Sequence, residues 1–288
     1  MNKRYELTNM KVVTNNYGTA YHLTQIRALV DMPTHNVKAG DLGGLIEKEE
    51  NLPMNENGWV SLGATVCGDA ILGDSSRAEK AAFITGNAQI TGTSVISGRA
   101  LIGGSTLIFN STIKTDVEIS GEAIVRDSKI GGNTRINKKA FIENSHIVAT
   151  DVLISGNVYI KDSKIRLADS RIDDNAKVIE STIGSGQRYD KKLTICGNAI
   201  VRNASVHSTR DVWIGENAQV LDHAKVSGFE ITIKGMAVIK GYARVGLKTT
   251  IDEFAVLDGG VNKSPKYNHS FFGKNLTGED VYIFGKTP

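Results

Sequence analysis

The side chain best suited to proton transfer in this sequence is His207, which stands four positions before Asp211. The ordinary pKa of a histidine, about 6.5, suits a base that removes a proton at neutral pH. A carboxylate close to the ring can orient it and stabilise its charged form. The two residues are therefore a candidate catalytic pair. The alternative is a solvated loop histidine without a chemical role.

Basic and aromatic residues stand near this pair. A nine-residue segment begins at Gly184 and ends with the cations Arg188, Lys191 and Lys192. Guanidinium and ammonium groups suit phosphate anions. Trp213 follows and could stack on an adenine or a sugar ring. The three cations and Trp213 form a candidate binding set; the alternatives are solvated charges and a subunit contact.

The sequence gives less support for a chemical role of the remaining histidines. His146 falls on an outward strand position, and His223 falls at a corner of the repeat described next. For His22, His35 and His269 the sequence gives no role. No histidines stand close together at the spacing that zinc ligands need, so we expect no metal site.

These residues must be positioned by a repeat that fills most of the chain. From residue 58 to residue 257 an aliphatic residue returns about every sixth position, with a small or branched residue two places before it, as in Ala64-Thr65-Val66. Alternate side chains of a strand point to opposite sides, so both of these residues face inward. Three hexads close one triangular coil, and stacked coils bury a column that one coil could not bury alone. The sequence predicts an all-β fold, a single-stranded parallel β-helix of about 11 coils and roughly 50 Å, at ~4.8 Å per coil.

The six-residue period is absent from residues 1–57 and from residues 258–288. We expect the first segment to be an N-terminal β cap, because an uncapped β-helix exposes unpaired backbone groups. The second segment is expected to close the other end or to fold back along one face. The predicted organisation is therefore a cap (1–57), a β-helix (58–257) and a tail (258–288).

The coils vary in length at one corner. A rung of the form Ser-x-Ile recurs at Ser111, Ser128, Ser145, Ser163 and Ser181, and the excess residues follow this rung. We expect five consecutive connections to form a ridge of stacked loops, which is where sites are often built on a rigid scaffold. Surface insertions without function are the alternative. The connections are residues 148–151, 166–169, 184–192, 207–211 and 227–230.

Outward residues differ between the faces. The face two rungs after the ridge is mostly apolar and includes Ile124, Phe141, Tyr159 and Ile200. An apolar stripe of this length is normally covered, so we expect a homo-oligomer through this face, or coverage by the segment around Phe271. The Ser-x-Ile face is polar instead, with Arg77, Thr112, Lys129, His146, Lys164, Thr182, Ser205, Lys225 and Arg244.

Composition argues against several classes of partner. The net charge of +3 is spread along the chain without a basic block, so a nucleic-acid face is not expected. No apolar run could span a bilayer and no cleavable signal follows Met1, so the expected location is the cytoplasm without membrane attachment. Cys67 and Cys196 fall seven coils apart, ~34 Å, and are expected to be free thiols.

The hexads resemble those of the bacterial hexapeptide-repeat transferases, and residues 212–215, Val-Trp-Ile-Gly, resemble a rung that such enzymes carry. The resemblance implies a left-handed parallel β-helix, often trimeric. It also implies acyl transfer from coenzyme A or acyl carrier protein to a hydroxyl or amine of a small acceptor, with a histidine as general base. On this basis the candidate pair, His207 and Asp211, would be catalytic, and the candidate binding set would hold acyl-coenzyme A as a co-substrate.

A second class of function stays open at this point. The protein could be a non-catalytic scaffold or a protein-binding rod, in which the apolar face assembles subunits and the ridge recognises a partner. The fold alone does not decide between the two, because one fold hosts many functions.

Overall fold

The structure, a computed structural model, describes residues 3–16, 18–185, 192–246, 248–259, 270–272, 275–276 and 281–283. The chain is all-β with nearly no helix, a parallel β-solenoid of about 11 turns. The predicted fold is confirmed. The chain divides into two compact units, Met1–Lys138 and Lys139–Pro288.

Unit 1 begins with an antiparallel hairpin, Tyr5–Asn16 and Thr19–Ala28. The strand Leu42–Ile46 pairs antiparallel with the second hairpin strand and parallel with the short strand Thr65–Val66. Gly44 permits this close approach, because a side chain there would collide with the carbonyl oxygens of neighbouring backbone. The hairpin sheet therefore passes directly into the solenoid. Two short 3-10 turns, Pro33–His35 and Glu49–Asn51, complete this segment.

Each coil of unit 1 has three short strands, here called rungs, and rungs of successive coils pair in parallel. We call the three stacks of rungs faces 1, 2 and 3. Face 1 comprises Trp59–Val60, Arg77–Ala78, Val95–Ile96, Thr112–Ile113 and the start of Lys129–Lys138. Face 2 comprises Thr65–Val66, Phe83–Ile84, Leu101–Ile102, Glu118–Ile119 and the end of Lys129–Lys138. Face 3 comprises Ile71–Leu72, Gln89–Thr91, Leu107–Phe109 and Ile124–Arg126.

Unit 2 repeats the three faces, but several of its strands run from face 1 into face 2 without a break. The strands of faces 1 and 2 are His146–Gly156, Lys164–Asp174, Thr182–Ser185, Leu193–Ile195, Ser205–Ile214, Lys225–Ile233, Arg244–Gly246 and Thr250–Ile251. Those of face 3 are Phe141–Glu143, Tyr159–Lys161, Lys177–Ile179, Ile200–Arg202, Gln219–Leu221, Val238–Lys240 and Val256–Asp258.

A ladder of buried serines explains the Ser-x-Ile rungs. The hydroxyl of Ser163 donates to the carbonyl of Lys161 at 2.7 Å and accepts the backbone N–H of Ser181 from the next coil at 3.2 Å. The hydroxyl of Ser181 repeats this with the N–H of Ala204. Each serine thus satisfies a backbone donor at a corner where a regular strand pair would leave it unpaired.

The last described strands continue the stack. Ser270–Phe272 pairs with Arg244–Gly246, Asn275–Leu276 with Thr250–Ile251, and Val281–Ile283 with Val256–Asp258. The backbone of the segment around Phe271 therefore forms a further rung of face 1. It does not lie over the apolar face, which was one of the two coverings expected.

The apolar stripe occupies face 3, as its register predicted. Phe141 and Tyr159 of unit 2 are directly paired, and their rings stack with centroids 5.4 Å apart and planes at 22°. Both side chains are half-buried, as are Ile200 in unit 2 and Ile124 in unit 1. The stacked pair therefore covers part of its own apolar surface.

Candidate functional site

The predicted ridge is built from strands, with a sharp corner at its end. In four of its five connections the residues after Ser-x-Ile stay extended and keep alternating, so that Ala149, Leu167 and Ser208 point inward and are buried. The chain then turns at a residue with positive φ, such as Asp169 or Asp211. The expectation of projecting loops is wrong for these connections, because the added residues lengthen face 1. Most of the fifth connection, residues 184–192, lies outside the described residues.

His207 projects from face 1 of unit 2. It pairs with Gly184 of the coil before and Ser227 of the coil after, and its side chain is exposed. The ring leans toward the earlier coil, since a β-carbon added to Gly184 would stand 3.1 Å from Nδ1 of His207. Nε2 is therefore the ring nitrogen that points away from the backbone of face 1 at Gly184.

Asp211 does not orient this ring. The two residues lie in one extended strand, where four positions span ~13 Å. Asp211 adopts φ of 38° at the corner, and its carboxylate pairs with Nε of Arg210 at 3.6 Å. The candidate catalytic pair is thus not in contact.

The candidate binding set is also spread out. Lys192 lies at the same corner as Asp211, one coil earlier, and its carbonyl accepts the N–H of Val212 at 2.9 Å. Its side chain is exposed. Arg188 and Lys191 lie outside the described residues.

Trp213 lies around the corner, on face 2. Its ring covers Gly215, and its indole N–H donates to the thiol of Cys196 in the coil before. Burial, together with the nearby Asp174 and Asp173 carboxylates, raises the pKa of that thiol. The structure therefore gives Trp213 a packing role and places it on a different face from His207.

The other histidines lie where the register predicted. His146 is exposed on face 1, directly paired with Lys164. His223 turns the corner after face 3 with φ of 74° and stacks on Tyr242 at 5.2 Å. Among the described residues no three histidine, cysteine or acidic side chains are grouped so that they could hold a metal ion. In the same part of the chain, no helix is both long and apolar enough to span a bilayer.

Four cations lie around His207 that sequence analysis had placed on the polar face or ridge without giving them a role. Lys164 and Arg166 project from one rung of face 1, and Lys225 and Arg244 from two later rungs. The outward positions of this face in unit 2, within the described residues, hold no carboxylate. The nearest acids are at its corners, and include Asp169.

These cations differ from most others in unit 2. Within the described part of the chain, none of the four has a carboxylate within 4.0 Å, whereas five cations on faces 2 and 3 do; Lys177 is an exception. Side-chain hydrogen bonds to such partners raise the pKa of Lys161 and Lys234. The five pairs are Lys161–Glu143, Arg171–Asp173, Arg202–Asp222, Lys234–Asp252 and Lys240–Asp258.

Small residues separate the cations. Between the rung of Lys164 and that of Lys225 lie two rungs whose outward positions are Thr182, Gly184, Ser205 and His207. We call this area, with the four cations at its two ends, the face 1 trough. It spans three coil steps, ~14 Å, from Lys164 to Lys225. An exposed imidazole at the centre of such a trough can act as a base on a ligand that the cations hold.

One family model agrees with this architecture over part of the chain. The family model of the GMPPB C-terminal domain matches residues 71–167. No curated protein matches the chain. Among solved structures, UDP-N-acetylglucosamine acyltransferase of Francisella novicida is similar at 17% identity over 67% of this chain, with a TM-score of 0.16. The chain spans 56% of the length of that acyltransferase chain. The family model supports a hexapeptide-repeat-like β-helix.

Proposed function

We propose that the protein is an acyltransferase that moves an acyl group from acyl-coenzyme A to a hydroxyl or amine of a small acceptor. The observation that carries the proposal is the position of His207, exposed at the centre of the face 1 trough with cations at both ends. An anionic ligand held by those cations would lie beside an imidazole that can take its proton.

In the proposed reaction the ring acts as the general base. Nε2 of neutral His207 takes the proton of the acceptor hydroxyl or amine as the acceptor atom attacks the thioester carbonyl carbon. The tetrahedral intermediate then collapses, the carbon–sulfur bond breaks, and the leaving thiolate takes the proton from the imidazolium. A base at this position contributes about 100-fold to 10,000-fold in rate.

Asp211 has no direct part in this mechanism, since its carboxylate pairs with Arg210. For the donor we propose that phosphates of acyl-coenzyme A bind one of the two cation pairs of the trough, and that Lys192, with Arg188 and Lys191 of the same connection, gives a further contact at the corner beyond His207. We further propose that subunits associate through the apolar face 3, with the stacked Phe141 and Tyr159 in the contact.

Thermal denaturation with coenzyme A and with acetyl-coenzyme A tests the donor. A ligand at 100 times its Kd stabilises the folded state by about 2.7 kcal/mol. We expect the Tm of the wild-type protein to rise, and Lys192→Ala to reduce that rise. Lys177→Ala is the matched control, because Lys177 is an exposed lysine of unit 2 on a different face.

The base is tested separately. His207→Ala should keep the Tm rise but lower the turnover of acetyl-coenzyme A with an active acceptor roughly 100-fold or more. The matched control is His146→Ala on the same face. Unchanged turnover in His207→Ala would overturn the assignment of the base, and no Tm rise in the wild type would overturn the donor.

A non-catalytic binding role is the second candidate, and one observation favours it. The N-terminal hairpin and the strand after it expose Leu7, Met10, Val13, Leu29 and Leu42. Leu7, Met10 and Leu42 line an open pocket of about 420 Å³, together with the exposed ion pair of Glu6 and Arg27. Clustered exposed apolar side chains are typical of interaction surfaces. Failure of both coenzyme A and acetyl-coenzyme A to bind would favour this candidate.

A further inference from the structure

We propose that the face 1 trough holds two separate phosphate subsites, one on each side of His207, and that the acceptor is therefore itself a phosphate ester carrying a hydroxyl or amine. This inference rests on the proposed acyl transfer and deepens it, because it names the chemical class of the acceptor.

The first subsite is the rung of Lys164 and Arg166. These residues are two positions apart in one strand, so both project outward, ~6.6 Å from each other. Both side chains are exposed, and within the described residues neither is neutralised by an ion pair. One phosphate group between them would make charge-assisted hydrogen bonds to an ammonium and a guanidinium together.

The second subsite is formed by Lys225 and Arg244. They are directly paired across adjacent coils, ~4.8 Å apart at the backbone. Lys225 is exposed and Arg244 is half-buried. In the described chain neither has a carboxylate partner, so this end of the trough also presents an unsatisfied pair of positive charges.

The positions relative to His207 separate the two subsites. The rung of Lys164 and Arg166 lies two coil steps before the rung of His207, ~10 Å, and Lys225 and Arg244 lie one and two coil steps after it. The intervening outward residues Thr182, Gly184 and Ser205 are too small to block an extended ligand. Two ligands that enter from the two ends would meet at the imidazole.

The chemistry of acyl transfer then constrains the acceptor. Donor and acceptor must both reach the base, so they occupy opposite sides of it. Each side ends in two cations and, within the described part of the face, carries no carboxylate. A neutral acceptor would make no use of the second cation pair, whereas a phosphate ester would form charge-assisted hydrogen bonds with it. The proposed acceptor is therefore anionic, as the donor is.

The test uses inorganic pyrophosphate as the probe for both subsites and coenzyme A as the probe for the donor side, measured by calorimetry at low ionic strength, where exposed charges are least screened. We expect two pyrophosphates per chain in the wild type. Lys164→Gln/Arg166→Gln and Lys225→Gln/Arg244→Gln should each bind one. The control Lys177→Gln/Arg202→Gln removes the same charge from face 3 and should still bind two.

Coenzyme A distinguishes the two proposals. We expect it to displace one pyrophosphate and to leave the other bound. Displacement of both, or two-site binding in each double variant, would overturn the phosphate-ester acceptor while leaving acyl transfer possible. Two pyrophosphate sites with no binding of coenzyme A would support the two anion subsites and overturn the proposed donor instead.

Discussion

Nδ1 of His207 lies against Gly184 of the preceding coil, so closely that a methyl group on Gly184 would stand 3.1 Å from it. The backbone of Gly184 needs no positive φ, so the feature that an added methyl group would disturb here is the contact with the ring. The position of the proposed base therefore depends in part on a residue of another coil.

Gly184→Ala should move the imidazole by a few tenths of an ångström or rotate it away from the backbone of face 1. Misplacement of a catalytic group is costly, and we expect roughly a tenfold fall in kcat/KM. The Cε1–H resonance of His207 should shift at the same time. Gly131→Ala is the matched control, because its methyl group would meet nothing closer than 3.8 Å. Equal activity in the two variants would show that the ring has room to adapt.

Ser163→Ala should destabilise unit 2 locally. The substitution removes the acceptor of the Ser181 N–H, which is buried, and an unsatisfied buried donor costs about 1–3 kcal/mol. We expect faster hydrogen exchange at the Ser181 amide and a lower Tm. The exposed Thr150→Ala serves as the control. Unchanged exchange at Ser181 would mean that water replaces the hydroxyl.

The N-terminal segment should lose stability in acid through His35. Burial lowers the pKa of this imidazole from its ordinary 6.5, and nearby Arg77 lowers it further. Because the folded-state pKa lies below the unfolded one, the contribution of the neutral ring is complete above pH 6.5. It is lost as the pH falls below 6.5 toward the folded-state pKa.

This pH dependence can be measured as the Tm between neutral pH and pH 5. His35→Gln should flatten the dependence, since the group that takes up the proton is gone. The exposed His22→Gln should leave it as in the wild type. A parallel loss of Tm in wild type and His35→Gln would assign the acid sensitivity to other groups.

The rate at which the Cys196 thiol is labelled should depend on the ring of Trp213 beside it. Burial raises the pKa of Cys67 to about 11 and raises that of Cys196, so neither thiol should react quickly at neutral pH. Trp213→Ala removes the ring beside the sulfur, and the greater access should speed labelling of Cys196 several-fold. The lost hydrogen bond acts in the opposite direction, because it lowers the pKa of the thiol. Cys67, fully buried in unit 1, should be unaffected. Labelling followed by mass spectrometry measures each thiol separately.

Much of the fold was predictable because its rules are local. Strand alternation and the six-residue period assigned Phe141 and Tyr159 to one outward stripe, and the structure pairs them directly. The corners were less predictable. Ile147-Val148-Ala149 continues the inward alternation and so indicated a longer strand, but an excess of residues after a rung is equally typical of a loop.

The candidate site was predictable only in part. A spacing of four residues brings side chains together on a helix but separates them by ~13 Å in a strand, which is why His207 and Asp211 do not meet. The Ser-x-Ile rungs already place Lys164 and Lys225 on one face. Arg166 and His207 join that face only because the residues after the rungs stay extended, and the sequence does not determine where each extra residue is accommodated.

The stacking of face 1 also means that distances along the solenoid are set in steps of one coil. Each coil hydrogen-bonds mainly to the coils before and after it, so deletion of the coil from Ser163 to Glu180 would place the rung of His146 against the rung of Thr182. Adding or removing a coil between Lys164 and Lys225 would instead change the length between the cations by ~4.8 Å while their chemistry stays the same. The size of ligand that such a face accepts can thus change in whole steps, through the number of coils.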